Sequence, residues 1–253
     1  ISLGLVGSEM CIRDRHFSDS NLKPIQSLNQ PMGESIMGWP NQVLFYQPEL
    51  ESFIREKVNS YKNIHVIESC RLVDFKCCNE SVNIECIKDN EIFTFNSKFL
   101  IGCDGASSFV RKSLDIELDD FGYNQKWLVC DAHLIKDLNL KNELIQVCNP
   151  KRPCTFLHGR RGHLRFEFRV MPDDNLKDLE NEDFVWNLLS PWIDKNNAKL
   201  ERSVIYNFHA CIANKWQKGN IFIAGDSAHQ VPPFMGDGMG TGTVSSTHLT
   251  LLT

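Results

Sequence analysis

Two segments of the chain repeat their hydrophobic positions with the period of an α-helix. In QPELESFIREKVNSY, residues 47–61, helical spacing joins Leu50, Phe53, Ile54, Lys57 and Tyr61. Pro48 occupies a first-turn position and Glu49 lies near the positive end of the helix dipole, so an amphipathic helix is predicted there. The second segment, DFVWNLLSPWI at residues 183–193, predicts another helix.

Most other hydrophobic positions alternate with polar ones, which is the period of a β-strand. Between residues 64 and 101 the alternating runs IHVIES, RLVDFKC, SVNIECI and EIFTFN predict a small antiparallel sheet. Between residues 121 and 212 the runs WLVCDAHL, LIQVC, CTFLHG, HLRFEFRV and SVIYNFHACI predict a second, mostly antiparallel sheet. Residues 16–42 are polar and rich in Pro and Gly, so they are predicted to form an extended loop.

Two further strands end in a glycine turn. FLIGCDGASSFVRKSL, residues 99–114, predicts a strand, a turn and a helix that is capped by Ser107 or Ser108. IFIAGDSAH, residues 221–229, predicts a buried strand followed by a turn. Open α/β sheets bind ligands at the carboxyl ends of their strands. Asp104 and Asp226 are therefore candidate acceptors for sugar-like hydroxyl groups, and Gly225 lets a ligand approach the backbone.

The composition is that of a globular protein and argues against several partners. Of the 253 residues, 42% are hydrophobic and 23% are charged. The 27 basic and 32 acidic residues give a net charge of −5 without a long run of Lys or Arg, so nucleic acid is not an expected partner. No apolar run approaches the roughly 18 to 20 residues of a membrane-spanning helix. A soluble, cytoplasmic protein without a membrane partner is expected.

The chain contains ten cysteines but no CxxC pair. Most of them lie in strand-like apolar segments: Cys70, Cys77, Cys78, Cys86, Cys103, Cys130, Cys148, Cys154 and Cys211. This distribution predicts reduced core residues and not disulfides or a structural zinc site. The sequence also lacks HExxH and any His/Asp group at the usual metal spacing, so no metal is predicted.

The segment GDSAHQVPPFMGDGMG, residues 225–240, resembles the second FAD motif of class A aromatic-ring hydroxylases. The resemblance implies that Gly225 and Asp226 contact FAD, with Asp226 on the ribityl chain. It also implies that Pro232 and Pro233 line the cavity for the isoalloxazine and the substrate. In the glycine-rich part, Gly236, Gly238 and Gly240 leave room for a flat ring system, and Met239 is expected to contact the cofactor. The chain departs from the family at Asp237, where Gln is usual, and after Gly242, where Arg-Asp-Ala is expected.

Two more segments resemble the same family. GCDGASSFVR, residues 102–111, resembles its middle fingerprint, which implies that Asp104 and Gly105 contact the FAD pyrophosphate and help to place the nicotinamide cofactor. For Arg111, a contact with nicotinamide phosphate and a structural role remain alternatives. GWPNQVLFYQPELE, residues 38–51, implies that Gln47 binds FAD, with helix capping as the alternative.

The resemblance extends over residues 38–242 and is strongest to the subgroup of 3-(3-hydroxyphenyl)propionate and resorcinol-type hydroxylases, as in LERSVIYNFHACIANKWQKGNIFIAGDSAH. It implies an α/β (α+β) fold with an FAD/NAD(P)-binding part and an antiparallel-sheet substrate domain. The implied reaction is NAD(P)H- and FAD-dependent hydroxylation of a phenolic substrate by O₂ through a flavin C4a-hydroperoxide. No acid–base residue is assigned, and His209 and His229 are expected to be structural.

Other interpretations of the same motifs remain open. One is a different FAD-fold oxidoreductase, such as a halogenase or a reductase. Another is a catalytically silent, truncated polypeptide. The oligomeric state, the aromatic substrate and the choice between NADH and NADPH are not predicted.

Both ends of the chain differ from the rest in their residue pattern. Residues 1–15 and 244–253 resemble peptides translated from sequencing adapters, and we expect them to be foreign to the fold. Between them we expect a partial FAD-binding domain at 16–120, a substrate domain at 121–215 and a return to the FAD-binding domain at 216–243. Residues 1–37 contain no GxGxxG turn, so this chain is expected to bind FAD weakly.

Overall fold

The structure, a computed structural model, describes residues 14–29, 45–140, 143–159, 162–233, 236 and 238–251. In chain order the strands are β1 (Asp14–Ser18), β2 (Pro24–Asn29), β3 (Arg71–Cys78), β4 (Ser81–Lys88), β5 (Glu91–Ser97), β6 (Leu100–Gly102), β7 (Leu118–Leu134), β8 (Glu143–Val147), β9 (Cys154–His158), β10 (His163–Arg169), β11 (Ala198–Ala213), β12 (Gln217–Lys218), β13 (Ile221–Ile223) and β14 (His229–Gln230). The helices are α1 (Gln47–Asn59), α2 (Phe109–Ser113), α3 (Leu176–Leu179), α4 (Glu182–Leu189) and α5 (Gly238–Leu251).

The chain divides into two compact units, and the long strands β7 and β11 pass from one to the other. Unit 1 comprises residues 1–64 and 126–207, and unit 2 comprises residues 65–125 and 208–253. Residues 16–29 and 45–64 thus cluster with the segment predicted as substrate domain. The predicted domain limits stay a prediction.

Unit 1 is built on one broad sheet, in which the strand order is β11-β7-β10-β9-β8-β1-β2. Neighbouring strands from β7 to β9 are antiparallel, as are β8 and β9, whereas β1 pairs with β8 in parallel. The sheet packs one apolar face against α3 and α4. Phe156, Phe166 and Trp192 stack within this core, with ring centroids 4.9 to 6.0 Å apart. The predicted antiparallel sheet and its helix are confirmed.

Unit 2 contains two three-stranded sheets. β3, β4 and β5 form an antiparallel meander, which confirms the small sheet predicted from the alternating pattern. The second sheet has the order β12-β13-β6, in which β6 and β13 are parallel. Its core includes Val82, Val110 and Ile223, and Val110 comes from the short helix α2. The sequence of strand, turn and helix predicted for residues 99–114 is confirmed.

Two local predictions are wrong. Residues 64–69 form no strand, because Ile64, Val66 and Ile67 are exposed and Ser69 adopts a left-handed turn conformation with φ of 56°. The pattern of residues 16–42 predicts a loop, yet β1 and β2 pair as a hairpin there. β1 forms a strand despite its polar composition because its backbone also pairs with β8. Residues 30–42 lie outside the described part of the chain.

The described cysteines are all free thiols, so no disulfide joins them. The prediction that they are core residues holds for Cys130, Cys154 and Cys211, but four others are exposed: Cys77, Cys78, Cys103 and Cys148. Strand periodicity alone could not separate the two groups, because alternate strand positions face opposite sides. Among the helices that the structure describes, none has the length and apolar character needed to span a bilayer.

Candidate functional site

The two glycine–aspartate turns follow neighbouring strands of unit 2. We call residues 103–108 the DG turn and residues 224–227 the GD turn. The parallel strands β6 and β13 pair Gly102 with Ile223, and the N–H of Ala224 donates to the carbonyl of Gly102 at 3.0 Å. Asp104 and Asp226 therefore follow strands that end at the same edge of one sheet, which is where such sheets bind ligands.

Ser227 joins the two strand ends through its buried hydroxyl. The oxygen lies 2.6 Å from the carbonyl of Gly102 and 2.7 Å from that of Ala224. It also accepts the N–H of Ala224 at 3.1 Å. Since a buried polar group without a partner is costly, these contacts fix the position of the GD turn relative to β6.

Arg111 also joins the two turns through its side chain. Its side chain is only 5% exposed. One guanidinium nitrogen donates to the carbonyl of Ser227 and the other to the carbonyl of Ala106, each at 2.9 Å. The planar guanidinium suits such two-point bonding. Of the two roles left open by the sequence, this geometry favours the structural one.

Asp104 is the residue that shapes the DG turn. Its carboxylate accepts the hydroxyl of Ser108 at 2.5 Å and the N–H of Val110 at 3.0 Å. Burial raises the pKa of Asp104, but the hydrogen bonds from Ser108, Val110 and Phe109 lower it by more, so the pKa lies below its ordinary value. Asp104 is therefore ionised at neutral pH and bonded to its own turn.

Ser108 is the N-cap of α2, as one of the two predicted capping residues, and accepts the N–H of Arg111 at 2.9 Å. The helix has only five residues. The N–H groups of Val110 and Arg111 are already bonded to Asp104 and Ser108. These two N–H groups are therefore engaged within the turn.

Glycine is required at three positions in or beside the turns, at one by close packing and at two by backbone conformation. A Cβ at Gly102 would lie 2.7 Å from the Cβ of Val110, so α2 approaches β6 too closely for any side chain. Gly105 and Gly225 have φ of +80° and +64°, which side chains rarely tolerate. A Cβ at either of these two would meet no atom within 4 Å, so the turns face open space.

The other described residues predicted in the GD segment follow the GD turn in the chain. Pro232 and Pro233 are half-buried. Gly236 has φ of +74°, a Cβ at this position would meet no atom within 4 Å, and Gly238 begins α5. The side chain of Met239 is 54% exposed. Asp237 lies outside the described residues.

Asp226 differs from Asp104 in the surroundings of its carboxylate. Its side chain is exposed, and among the described residues no group donates a hydrogen bond to it. It belongs to a single 3₁₀ turn, Gly225–Ser227, whose backbone is fixed by the Ser227 hydroxyl. A rigid, exposed carboxylate beside an open glycine is suited to accept hydrogen bonds from a polyhydroxylated ligand.

His229 has the structural contacts that the sequence suggested. Its ring stacks on Trp216 with centroids 5.3 Å apart, and its Nε2 lies 2.6 Å from the hydroxyl of Ser245. Burial lowers the pKa of His229 and the charge of Asp226 raises it by less, so the net shift is downward. A neutral, stacked imidazole is a packing element and not an acid–base group.

Gln47 lies in unit 1, at the start of α1. Its amide donates to the carboxylate of Glu51 at 2.8 Å, one helical turn away. The N-cap is Tyr46, so the alternative that Gln47 caps the helix is wrong. Its predicted contact with FAD stays a prediction.

Unit 1 carries a buried ion cluster on the face of its sheet that points away from the core. Asp131 is 5% exposed and accepts hydrogen bonds from Arg165, at 2.8 and 3.2 Å, and from Arg202, at 3.0 Å. His163 lies 3.6 Å from the same carboxylate. Burial raises the pKa of Asp131, but Arg165 and Arg202 lower it by more. Both arginines are therefore already paired within the protein.

Glu167 is the neighbouring carboxyl on this face, and sequence reasoning missed it. It lies between Val129 and Thr155 on the adjacent strands. Among the described residues, none forms a hydrogen bond with its carboxyl. Burial raises the pKa of Glu167, while Arg165 lowers it and Asp131 raises it, so the net shift is upward. Buried carboxyls without partners are costly, which makes Glu167 a candidate for contact with a ligand.

Three residues of unit 2 form a second group that spacing did not reveal. Asp120 on β7 and His209 and Cys211 on β11 each offer one ligand atom within 4.8 Å of the other two. His209 and Cys211 are separated by one residue, so strand alternation places both on one face. The neighbouring strand supplies Asp120.

Three comparisons with known proteins are consistent with this geometry. A protein-family model described as "FAD binding domain" matches residues 22–251. A curated relative from Rhodococcus jostii, described as a probable NADH-specific resorcinol 4-hydroxylase, is 33% identical over 208 residues. A 3-(3-hydroxy-phenyl)propionate/3-hydroxycinnamic acid hydroxylase from Escherichia coli is 27% identical over 215 residues.

The chain covers only part of these relatives. The Rhodococcus alignment includes 81% of this chain but 39% of the relative, and the Escherichia coli alignment includes 84% and 38%. Among solved structures, a p-nitrophenol 4-monooxygenase from Pseudomonas putida matches with a TM-score of 0.81 at 16% identity, over 95% of this chain and 62% of that one. Aklavinone-11 hydroxylase, solved with FAD and aklavinone, matches with a TM-score of 0.78 at 18% identity, over 96% and 49%.

Proposed function

Because this chain belongs to the FAD-binding-domain family, we propose that it forms part of the flavin site of an NAD(P)H-dependent hydroxylase of phenolic substrates. The observation that carries the proposal is the placement of the DG and GD turns at the carboxyl ends of two paired parallel strands. The names of the two curated relatives support the phenolic ring as substrate class. The word NADH in one of them supports a nicotinamide reductant.

The residues around the turns fit FAD. Gly105 and Gly225 face open space in conformations that bring the backbone to the surface. Asp226 offers a rigid acceptor for the ribityl hydroxyls, and Gly236 and Gly238 leave room for a flat ring. Flavin, when bound, supplies the transfer of electrons from NAD(P)H to O₂ and the oxygen chemistry. The protein residues hold it in position and shape the cavity.

Asp104 and Arg111 serve this site indirectly. Asp104 bonds to Ser108 and Val110 and so fixes the backbone of the DG turn, which would face the pyrophosphate. Arg111 bonds to Ala106 and to Ser227 and so fixes the distance between the two turns. Both are positioning residues in this proposal.

On unit 1 we assign Glu167 to the phenolic substrate. Its carboxyl is half-buried and lacks a hydrogen bond among the described residues, so it can accept the hydroxyl of a phenol. Arg165 lies next to it but already bonds to Asp131. An acceptor that is desolvated and unpaired favours a ligand that brings its own O–H donor.

The proposal is tested with the whole protein that contains this chain, supplied with FAD and NADH. We expect resorcinol to accelerate NADH oxidation and to yield a product that is heavier by one oxygen. Asp226→Asn should reduce both, since it removes charge from the flavin-facing acceptor, while the exposed Asp183→Asn should not. Flavin-dependent NADH oxidation without any oxygenated product from a panel of phenols would contradict the proposal and favour a reductase. A product that requires halide would favour a halogenase.

A further inference from the structure

Unit 2 contains a group of metal-binding side chains that the flavin proposal does not use. Asp120 lies on β7, and His209 and Cys211 lie on β11, the neighbouring strand. Their ligand atoms, a carboxylate oxygen, a ring nitrogen and a sulfur, all lie within 4.8 Å of one another. Tetrahedral Zn²⁺ with bonds of about 2.0 to 2.3 Å separates its ligand atoms by roughly 3.5 Å. Side-chain rotations that move the ligand atoms by about 1 Å would therefore bring all three within bonding distance of one ion.

The chemistry of the three residues selects the class of metal. Sulfur and imidazole are poor ligands for Mg²⁺ and Ca²⁺, which prefer oxygen. A set of one thiolate, one imidazole and one carboxylate is typical of zinc and its close substitute cobalt. Binding would deprotonate the thiol of Cys211, so the thiolate and the Asp120 carboxylate together would balance the charge of a divalent cation.

The residues around the group orient its ligands and leave it open to solvent on one side. The N–H of Gly122 donates to one carboxylate oxygen of Asp120 at 2.8 Å, which orients the side chain. The thiol of Cys211 also donates to the Asp120 carboxylate, and a metal ion would replace the proton of that hydrogen bond. Cys211 is 7% exposed, so the inner side of the group is dry. Asp120 is exposed, so an ion can enter from solvent. The group thus has the closed inner side and the open outer position of a three-ligand zinc site.

We propose that Asp120, His209 and Cys211 bind one Zn²⁺ ion and leave its fourth position to water. Such an ion would join β7 to β11 within unit 2. The proposal does not depend on flavin binding or on hydroxylation. It differs from the prediction of no metal that sequence spacing favoured.

The first test uses Co²⁺ as a spectroscopic probe of the whole chain, reduced and freed of metal with a chelator. We expect one Co²⁺ per chain, a thiolate-to-cobalt charge-transfer band, and loss of that band when Zn²⁺ is added. Cys211→Ser should abolish the band. Cys70→Ser is the matched control, since Cys70 lies beside Cys86 in the same unit but outside the group, and it should leave the band unchanged. A band that is lost in Cys70→Ser and kept in Cys211→Ser would overturn the proposal.

The second test measures affinity for Zn²⁺ by competition with a chromophoric chelator. His209→Asn and Asp120→Asn should each weaken binding by about tenfold or more, which is the loss typical even for residues that only support a ligand. Asn at position 120 keeps an acceptor for Gly122, so the turn is preserved. Circular dichroism verifies that each variant is folded. Equal Zn²⁺ affinity in the wild type and both variants, or no cobalt band in the wild type, would refute the site.

Discussion

At the scale of single residues, the central feature is a buried arginine that joins two turns more than a hundred positions apart. The guanidinium of Arg111 donates to the carbonyls of Ala106 and Ser227. The sequence leaves its role open between a cofactor contact and a structural one. A structural role affects the free energy of unfolding, whereas a cofactor contact affects NAD(P)H binding, so the two roles can be separated.

Arg111→Met should destabilise the chain and weaken FAD binding together. The buried carbonyl of Ser227 loses its donor and the carbonyl of Ala106 keeps only the longer bond from Gln230, which together costs about 2 kcal/mol in the free energy of unfolding. Urea unfolding measures the first effect and FAD titration the second. Lys112→Met, at an exposed neighbouring position of α2, is the control and should change neither. A variant of Arg111 with normal stability and normal FAD affinity but weaker NAD(P)H binding would show the cofactor role instead.

Glu167 provides a prediction about pH. Its folded-state pKa is raised above the ordinary value of 4.5, with burial as the main cause. Ionising this carboxyl therefore costs stability as the pH rises from the ordinary pKa through the folded one. Glu167→Gln removes that cost, so the variant should unfold at higher urea concentration than the wild type at pH 7.

The same pair of proteins should unfold alike once the pH falls below about 4, because the wild-type carboxyl is then protonated in both states. Glu80→Gln, at an exposed position, should show no pH-dependent difference. If Glu167 accepts the substrate hydroxyl, the more stable variant should also bind resorcinol less tightly. A Glu167→Gln protein that is less stable than the wild type at pH 7 would show that the carboxylate has a structural partner.

At the scale of elements, the position of α2 depends on the absence of a side chain at Gly102. Gly102→Ala would place a Cβ 2.7 Å from the Cβ of Val110 and should push α2 away from β6. Overpacking of this kind costs about 1 to 3 kcal/mol in the free energy of unfolding.

Thermal or urea unfolding checks this prediction. Gly240→Ala on α5 is the control, because its Cβ meets no atom within 4 Å and alanine favours a helix by about 1 kcal/mol. It should be neutral or stabilising. Equal stability of Gly102→Ala and the wild type would mean that α2 is not held against the strand.

Elements with a strong internal period could be predicted from the sequence, and those that depend on distant partners could not. α1, α4 and the meander β3–β5 follow from residue patterns within a few positions. The hairpin of β1 and β2 depends on pairing with β8, which lies far away in the chain. The run at residues 64–69 has strand-like composition but pairs with no strand among the described residues.

The same distinction applies to the candidate site. The turns that contain Gly105, Gly225 and Asp226 were predictable because glycine turns at strand ends have a local signature. The hydroxyl of Ser227 and the guanidinium of Arg111 act across the sheet edge, which no spacing reveals. The group of Asp120, His209 and Cys211 likewise arises only when two strands lie side by side.

At the scale of the whole molecule, the chain spans less than two fifths of the curated relatives that it matches. The flavin contacts it offers come from the DG and GD turns of unit 2. The sequence contains no GxGxxG turn in residues 1–37, so affinity for FAD should be weak. A stoichiometric flavin absorbance band in the purified chain would contradict that expectation.

The most direct test of the account is an NMR titration of the glycine-labelled chain with FAD, which detects weak binding residue by residue. The amide signals of Gly105, Gly225 and Gly236 should shift together with a single dissociation constant. The signals of Gly159 and Gly162 in unit 1 should shift less. Shifts that are confined to one of the two turns, or that give different constants for the two, would contradict a shared flavin site.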